Sequence, residues 1–97
     1  MISTEEMKRE LLLMKEELET RLAEKDQKVN PKLAFYMKEE LKDVEYALKK
    51  LSLGKYGICE KTFQEIPLEK LQIMPTARTL DDFSIQAYFE KRIVFNQ

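Results

Sequence analysis

The sequence contains no histidine and no tryptophan, one cysteine, two glycines and three prolines among 97 residues. The missing histidine removes the commonest general base and an important metal ligand. A single cysteine excludes an internal disulfide and suits a reducing compartment. No apolar run approaches the roughly twenty residues needed to span a membrane. Residues 1–10, MISTEEMKRE, lack the pattern of a secretory signal. The expectation is a cytoplasmic protein without a membrane association. Nor is there charge of one sign: 17 Lys and Arg face 18 Asp and Glu, a net charge of −1. Residues 1–53 hold eleven basic and twelve acidic residues, and 54–97 hold six of each. Direct nucleic-acid binding, which needs a basic stripe to neutralise phosphates, is not expected.

What remains is 43% apolar and 36% charged, with very few helix breakers, the composition of long solvated helices. Ser3 is an N-cap with Glu6 three residues on, and Ile2 and Met7 flank it as a staple. Met7, Leu11, Met14, Leu18 and Leu22 then mark one helical stripe, which Leu12 and Leu13 widen. Glu5 with Arg9 and Glu17 with Arg21 are pairs four residues apart. Asn30-Pro31 starts a second helix, with proline where its missing N–H does no harm. Ala34, Met37, Leu41, Val44, Leu48 and Leu51 form its heptad seam, and Gly54 is its stop.

Two helices of about 4–25 and 31–53 around a polar tip at 24–30 predict an antiparallel hairpin over residues 1–53. Residues 54–97 form a second unit. GKYGICEKTFQEIP reads as two short strands or a knuckle, and PLEKLQ as a helical turn opened by Pro67. Thr79 with Asp82 starts a closing helix carrying Phe83, Ala87, Tyr88 and Phe89, and the tail Ile93, Val94, Phe95 should pack against something. The fold class is mainly α.

Tyr56-Gly57-Ile58-Cys59, Ile66, Leu71 and Met74-Pro75-Thr76-Ala77 resemble the C-terminal zinc finger of the DksA/TraR family, and there too a long helical hairpin precedes it. In that family an aromatic-Gly-x-Cys-x-x-Cys knuckle is followed by a Pro-Thr-Ala element and a second Cys-x-x-Cys. The family's four cysteines fall here on Cys59, Thr62, Leu80 and Phe83. One thiol, one hydroxyl and two hydrocarbons do not make a tetrahedral zinc site. The expectation is a degenerate finger without zinc or any other cofactor, in which Leu80 and Phe83 join Ile58, Cys59, Phe63 and Ile66 in an apolar core tied to the hairpin base through Leu51, Leu53 and the C-terminal helix. Nothing nearby is expected to depress the Cys59 pKa clearly: Glu60 would raise it and Lys61 would lower it.

The resemblance implies a non-enzymatic modulator of transcription that binds RNA polymerase and inserts its hairpin into the secondary channel. The family tip carries two aspartates three apart. Here Glu24 and Asp26 are two apart, interleaved with Lys25 and Lys28, and Asp26 is the first candidate for a functional carboxylate, Glu24 the second. The competing reading is an adaptor or self-associating protein, a homodimer through the hairpin included, whose Leu12, Leu13, Leu33, Phe35 and Tyr36 dock on a partner. No nucleophile–base pair is present to support an enzyme.

Overall fold

The computed structural model describes residues 3–24 and 30–83. The tip residue Asp26, the closing-helix positions Ala87, Tyr88 and Phe89, and the tail residues Ile93, Val94 and Phe95 lie outside these.

Helix α1 runs Thr4–Ala23 and helix α2 Pro31–Ser52. Both start where local chemistry directs. The Ser3 hydroxyl accepts the Glu6 N–H at 3.2 Å, and the Asn30 side chain accepts the Lys32 N–H at 2.8 Å ahead of Pro31, each satisfying a donor that the helix leaves free. Glu17 and Arg21 pair at 3.1 Å on the exposed face of α1. Helix α2 ends in a complete Schellman motif: Lys55 N–H bonds to the Lys50 carbonyl at 2.8 Å and Gly54 N–H to the Leu51 carbonyl at 3.2 Å. Gly54 takes the left-handed φ of +72° that this closure demands.

The two helices pack antiparallel. Leu11 of α1 and Val44 and Ala47 of α2 are buried together, with Met14, Leu18, Leu48 and Leu51 around them. Burying a side chain such as Leu11 or Val44 stabilises by roughly 1.5–3 kcal/mol. The stripe is narrower than its sequence suggests. Leu12 and Leu13 are 47% and 61% exposed and do not widen it, because the hairpin offers each helix one neighbour rather than two. Met7 belongs to a different cluster: it is wholly buried with Cys59, Ile66, Leu71 and Ala77, all from the segment that follows α2 in sequence. The first turns of α1 therefore hold the second unit onto the hairpin.

That unit contains helix α3, Leu68–Ile73, and a 3₁₀ turn, Leu80–Phe83. The two expected strands reduce to one antiparallel bridge, Ile58 with Glu65. Left-handed residues on either side, Gly57 at φ +83° and Phe63 at φ +61°, end the extended run. Glu60 N–H meanwhile goes to the Arg78 carbonyl at 2.9 Å, outside any hairpin ladder. The expected closing helix is seen only as its opening 3₁₀ turn. Its capping runs from the acid: Asp82 Oδ2 accepts the backbone N–H groups of Thr79 at 3.0 Å and Arg78 at 2.8 Å, the return half of a capping box. No helix of the described residues is long and apolar enough to cross a membrane.

Candidate functional site

The second unit is built around a turn at 59–63. Cys59 N–H bonds to the Gln64 carbonyl and Phe63 N–H to the Cys59 carbonyl, both at 2.8 Å. Ile66 N–H closes on the Gly57 carbonyl at 2.7 Å. Gly57 sits so close to α3 that a Cβ there would lie 3.2 Å from Leu71 Cδ1. The Tyr56 hydroxyl donates to the Pro75 carbonyl at 2.8 Å, and burial pushes its pKa up to about 12. Through these contacts the motif residues Tyr56, Gly57, Leu71 and Pro75 act together to press α3 against the turn.

The four positions singled out in the sequence converge. Leu80 and Phe83 are half-buried against the cluster that contains Cys59. Cys59 is 1% exposed, and its Sγ accepts the backbone N–H groups of Thr62 and Leu80, each at 3.4 Å. The Thr62 hydroxyl beside the sulfur is the largest influence on its acidity. Together with backbone N–H groups of Thr62, Leu80 and Lys61, it outweighs desolvation and brings the pKa down from 9.0 to about 7. This corrects the expectation that nothing lowers it, since donors close in space, Thr62 and Leu80, matter more than the charges adjacent in sequence.

Two other expectations need correction. Phe63 does not fill the cluster: it is 81% exposed, because its left-handed backbone turns the side chain away. Leu53 is also largely exposed as the C-cap of α2, so only Leu51, half-buried among the hairpin residues, faces inward.

The donor set is one sulfur, one hydroxyl and two hydrocarbons, which does not fit the zinc implied by the family resemblance. Among the described residues no group of three or more acidic or sulfur ligands could hold a metal ion.

A polar clamp joins this unit to α2, and local sequence patterns give no sign of it. Glu60, next to Cys59, accepts the Tyr46 hydroxyl at 3.1 Å and faces Lys50 at 3.6 Å and Arg78 at 3.9 Å. Arg78 lies 4.0 Å over the Tyr46 ring and 3.7 Å from Asp43. The hydrogen bond from Tyr46 to Glu60 raises the phenol's pKa. Asp43, Tyr46 and Lys50 share one face of α2, and they grip two separate segments of the second unit, through Glu60 and Arg78. Lys61 and Asp81 add an exposed bridge between these segments at 2.7 Å.

At the other end of the hairpin, Glu24 is the exposed C-cap of α1, its N–H bonded to the Arg21 carbonyl at 3.4 Å. From Leu11 to Glu24 the helix advances roughly 20 Å at 1.5 Å per residue, all of it away from the Cys59 cluster. The hairpin is a stiff prong with an acidic residue near its end.

This architecture is DksA-like. It is similar to the structure of an RNA polymerase binding protein and transcriptional regulator, Dks, from Chlamydia trachomatis L2, with a TM-score of 0.60, 30% identity and 96% of each chain covered. Transcription factor DksA2 from Pseudomonas aeruginosa shares the fold with a TM-score of 0.65 at 21% identity, over 94% of this chain and 84% of that one. No family model matches the chain. The chain is 46% identical over 96 positions to the uncharacterized protein YlyA of Bacillus subtilis, covering 86% of this chain and 77% of that protein, and it belongs to the same family. The uncharacterized protein YteA of the same organism is 44% identical over 59 residues, 61% of this chain but only 25% of that protein's length. General stress protein 16O, again of Bacillus subtilis, is 54% identical over 41 residues, 42% of this chain and 25% of its own length.

Proposed function

We propose that this protein is a non-enzymatic modulator of transcription that binds RNA polymerase and inserts its helical hairpin into the secondary channel. The observation that carries the reading is the likeness, over nearly the full length of both chains, to a structure described as an RNA polymerase binding protein. The prong supports it. From Met7, its contact with the Cys59 cluster, to Glu24, α1 advances roughly 25 Å at 1.5 Å per residue, a length suited to probing a channel. Asp26, with Glu24 two residues before it, supplies carboxylates that act near a magnesium-dependent centre by hydrogen bonding or field. The balanced charge argues for contact with protein rather than nucleic acid, and the role belongs in the cytoplasm.

Purified RNA polymerase should retain the protein in a pull-down. Asp26→Ala should abolish its effect on transcription while leaving its helical circular dichroism intact. Failure of the wild-type chain to bind polymerase would refute the reading. Exposed Leu12, Leu13 and Phe35 favour a second reading, an adaptor or self-associating hairpin. A tight dimer in sedimentation, with no affinity for polymerase, would establish it instead.

The same reading includes a finger held without zinc. Leu80 and Phe83 provide apolar contact where the family has thiolates, and the clamp of Glu60, Arg78 and Tyr46 ties the two halves together from outside. Thermal unfolding of the purified protein should be unchanged by a strong zinc chelator. One tightly bound zinc per chain would contradict this.

A further inference from the structure

Glu60 and Arg78 come from different segments of the second unit, yet they act as one block. The Glu60 N–H bonds to the Arg78 carbonyl at 2.9 Å, and their side chains meet at 3.9 Å. From this block they hold α2 at both ends of a two-turn span. Glu60 reaches Lys50 at 3.6 Å, near the helix end, and the Tyr46 hydroxyl at 3.1 Å. Arg78 covers the Tyr46 ring at 4.0 Å and reaches Asp43 at 3.7 Å, further toward the tip. A hold spread along a helix constrains the direction of its axis, which a point contact does not. From Lys50, Asp43 lies roughly 10 Å along α2 and Pro31 roughly 28 Å, at 1.5 Å per residue. Slack of about 1 Å at Asp43 therefore swings the tip end of α2 by roughly 3 Å.

We propose that Glu60 and Arg78 are positioning residues: their grip on α2 sets the direction of the prong relative to the second unit, so that both meet RNA polymerase at once. The role in binding rests on the polymerase reading, whereas the control of direction does not. Cohesion comes from elsewhere. Met7 sits in the Cys59 cluster, and Tyr56 packs against that cluster and against the hairpin's; attraction between apolar surfaces has no direction of its own. The side chains of Asp43, Glu60 and Arg78 are 38%, 39% and 47% exposed, so their pairs add little to stability and are screened by salt. What they supply is orientation. A prong already held in its bound direction spares the interface the cost of ordering it.

The test measures amide residual dipolar couplings on the full chain in a neutral gel, for the wild type and for the double variant Glu60→Gln, Arg78→Met, which removes the clamp's ion pairs at nearly constant shape. At low salt one alignment tensor should fit α1, α2 and residues 56–83 of the wild type. The variant should need separate tensors for hairpin and second unit. The wild type should come to need them too in about 1 M salt, where the screening length is about 3 Å. Affinity of the variant for purified polymerase should fall roughly threefold or more, as the aligned fraction falls to about a third. One tensor fitting the variant, or the wild type at high salt, would overturn the proposal. Separate tensors with unchanged affinity would overturn the role in binding. Collapse of amide dispersion in residues 56–83 of the variant would assign the clamp to holding the fold and overturn it as well. A wild-type chain that ignores polymerase would refute the polymerase reading, and the couplings would still decide what sets the prong's direction.

Discussion

Leu80 donates its backbone N–H to the Cys59 sulfur at 3.4 Å across 21 residues of sequence. Backbone N–H groups also donate to thiolate sulfur in metal sites, and here the same kind of bond is present with hydrocarbon neighbours. The backbone cradle is thus separable from the ligands. The triple variant Thr62→Cys, Leu80→Cys, Phe83→Cys should bind one cobalt or zinc ion per chain and show thiolate-to-cobalt charge-transfer absorption. Without metal it should be less stable than the wild type by roughly 2 kcal/mol or more, through lost apolar contact, and metal should restore it. A triple variant with no more affinity for cobalt than the wild type would show that the four positions do not converge.

The two glycines separate backbone strain from crowding. Gly54 has φ +72°, and a Cβ placed there would meet nothing within 4 Å, whereas at Gly57, φ +83°, a Cβ would meet Leu71 at 3.2 Å. Gly54→Ala should destabilise by about 1–2 kcal/mol, from the left-handed conformation alone. Gly57→Ala should lose a further 1–3 kcal/mol or so as Leu71 is displaced. Urea unfolding of both variants measures the difference, and equal losses would count against the tight seating of α3.

Cys59 makes stability depend on pH. Its pKa is about 7 in the folded chain, against 9.0 ordinarily. Between these values the unfolded state holds more protons, so stability from this group should rise as pH increases from 7 to 9, and be lost as pH falls through 7. Thr62→Val removes the hydroxyl with the largest influence and should shift the thiolate absorbance titration upward. A titration of that variant superimposable on the wild type would assign the low pKa to another cause.

Arg78 reaches Asp43, Glu60 and the Tyr46 ring at once, but about half of it is exposed to solvent. Arg78→Met, which keeps the aliphatic stem, should lower stability by no more than about 1 kcal/mol. That deficit should shrink as salt is raised. A deficit insensitive to salt would point to packing of the stem rather than charge.

Local chemistry makes the hairpin readable. Ser3, Asn30-Pro31 and Gly54 each act within a few residues of themselves, and α1 and α2 start and stop where they direct. The convergence of Cys59, Leu80 and Phe83 is readable because these positions fall in register with the finger that the sequence resembles. Three features are not. Met7 continues the α1 stripe in sequence, yet its neighbours are Cys59 and Leu71, residues far apart in the chain that no helical period links to it. Phe63 has the composition of a core residue, and hydropathy carries no information about the sign of φ. The grip of Tyr46 on Glu60 and Arg78 spans segments that no periodicity connects. Asp26 is a candidate through the resemblance to a family with an acidic tip, and it lies outside the described residues.

Site-specific crosslinking addresses most directly whether the prong enters the polymerase. A photoreactive residue placed at position 26, in a chain otherwise unchanged, is irradiated with RNA polymerase, and the attachment site is mapped by mass spectrometry. Attachment to residues lining the secondary channel near the catalytic magnesium is the expected result. Attachment only to a second copy of the chain, or to the outer surface of the polymerase, would contradict it.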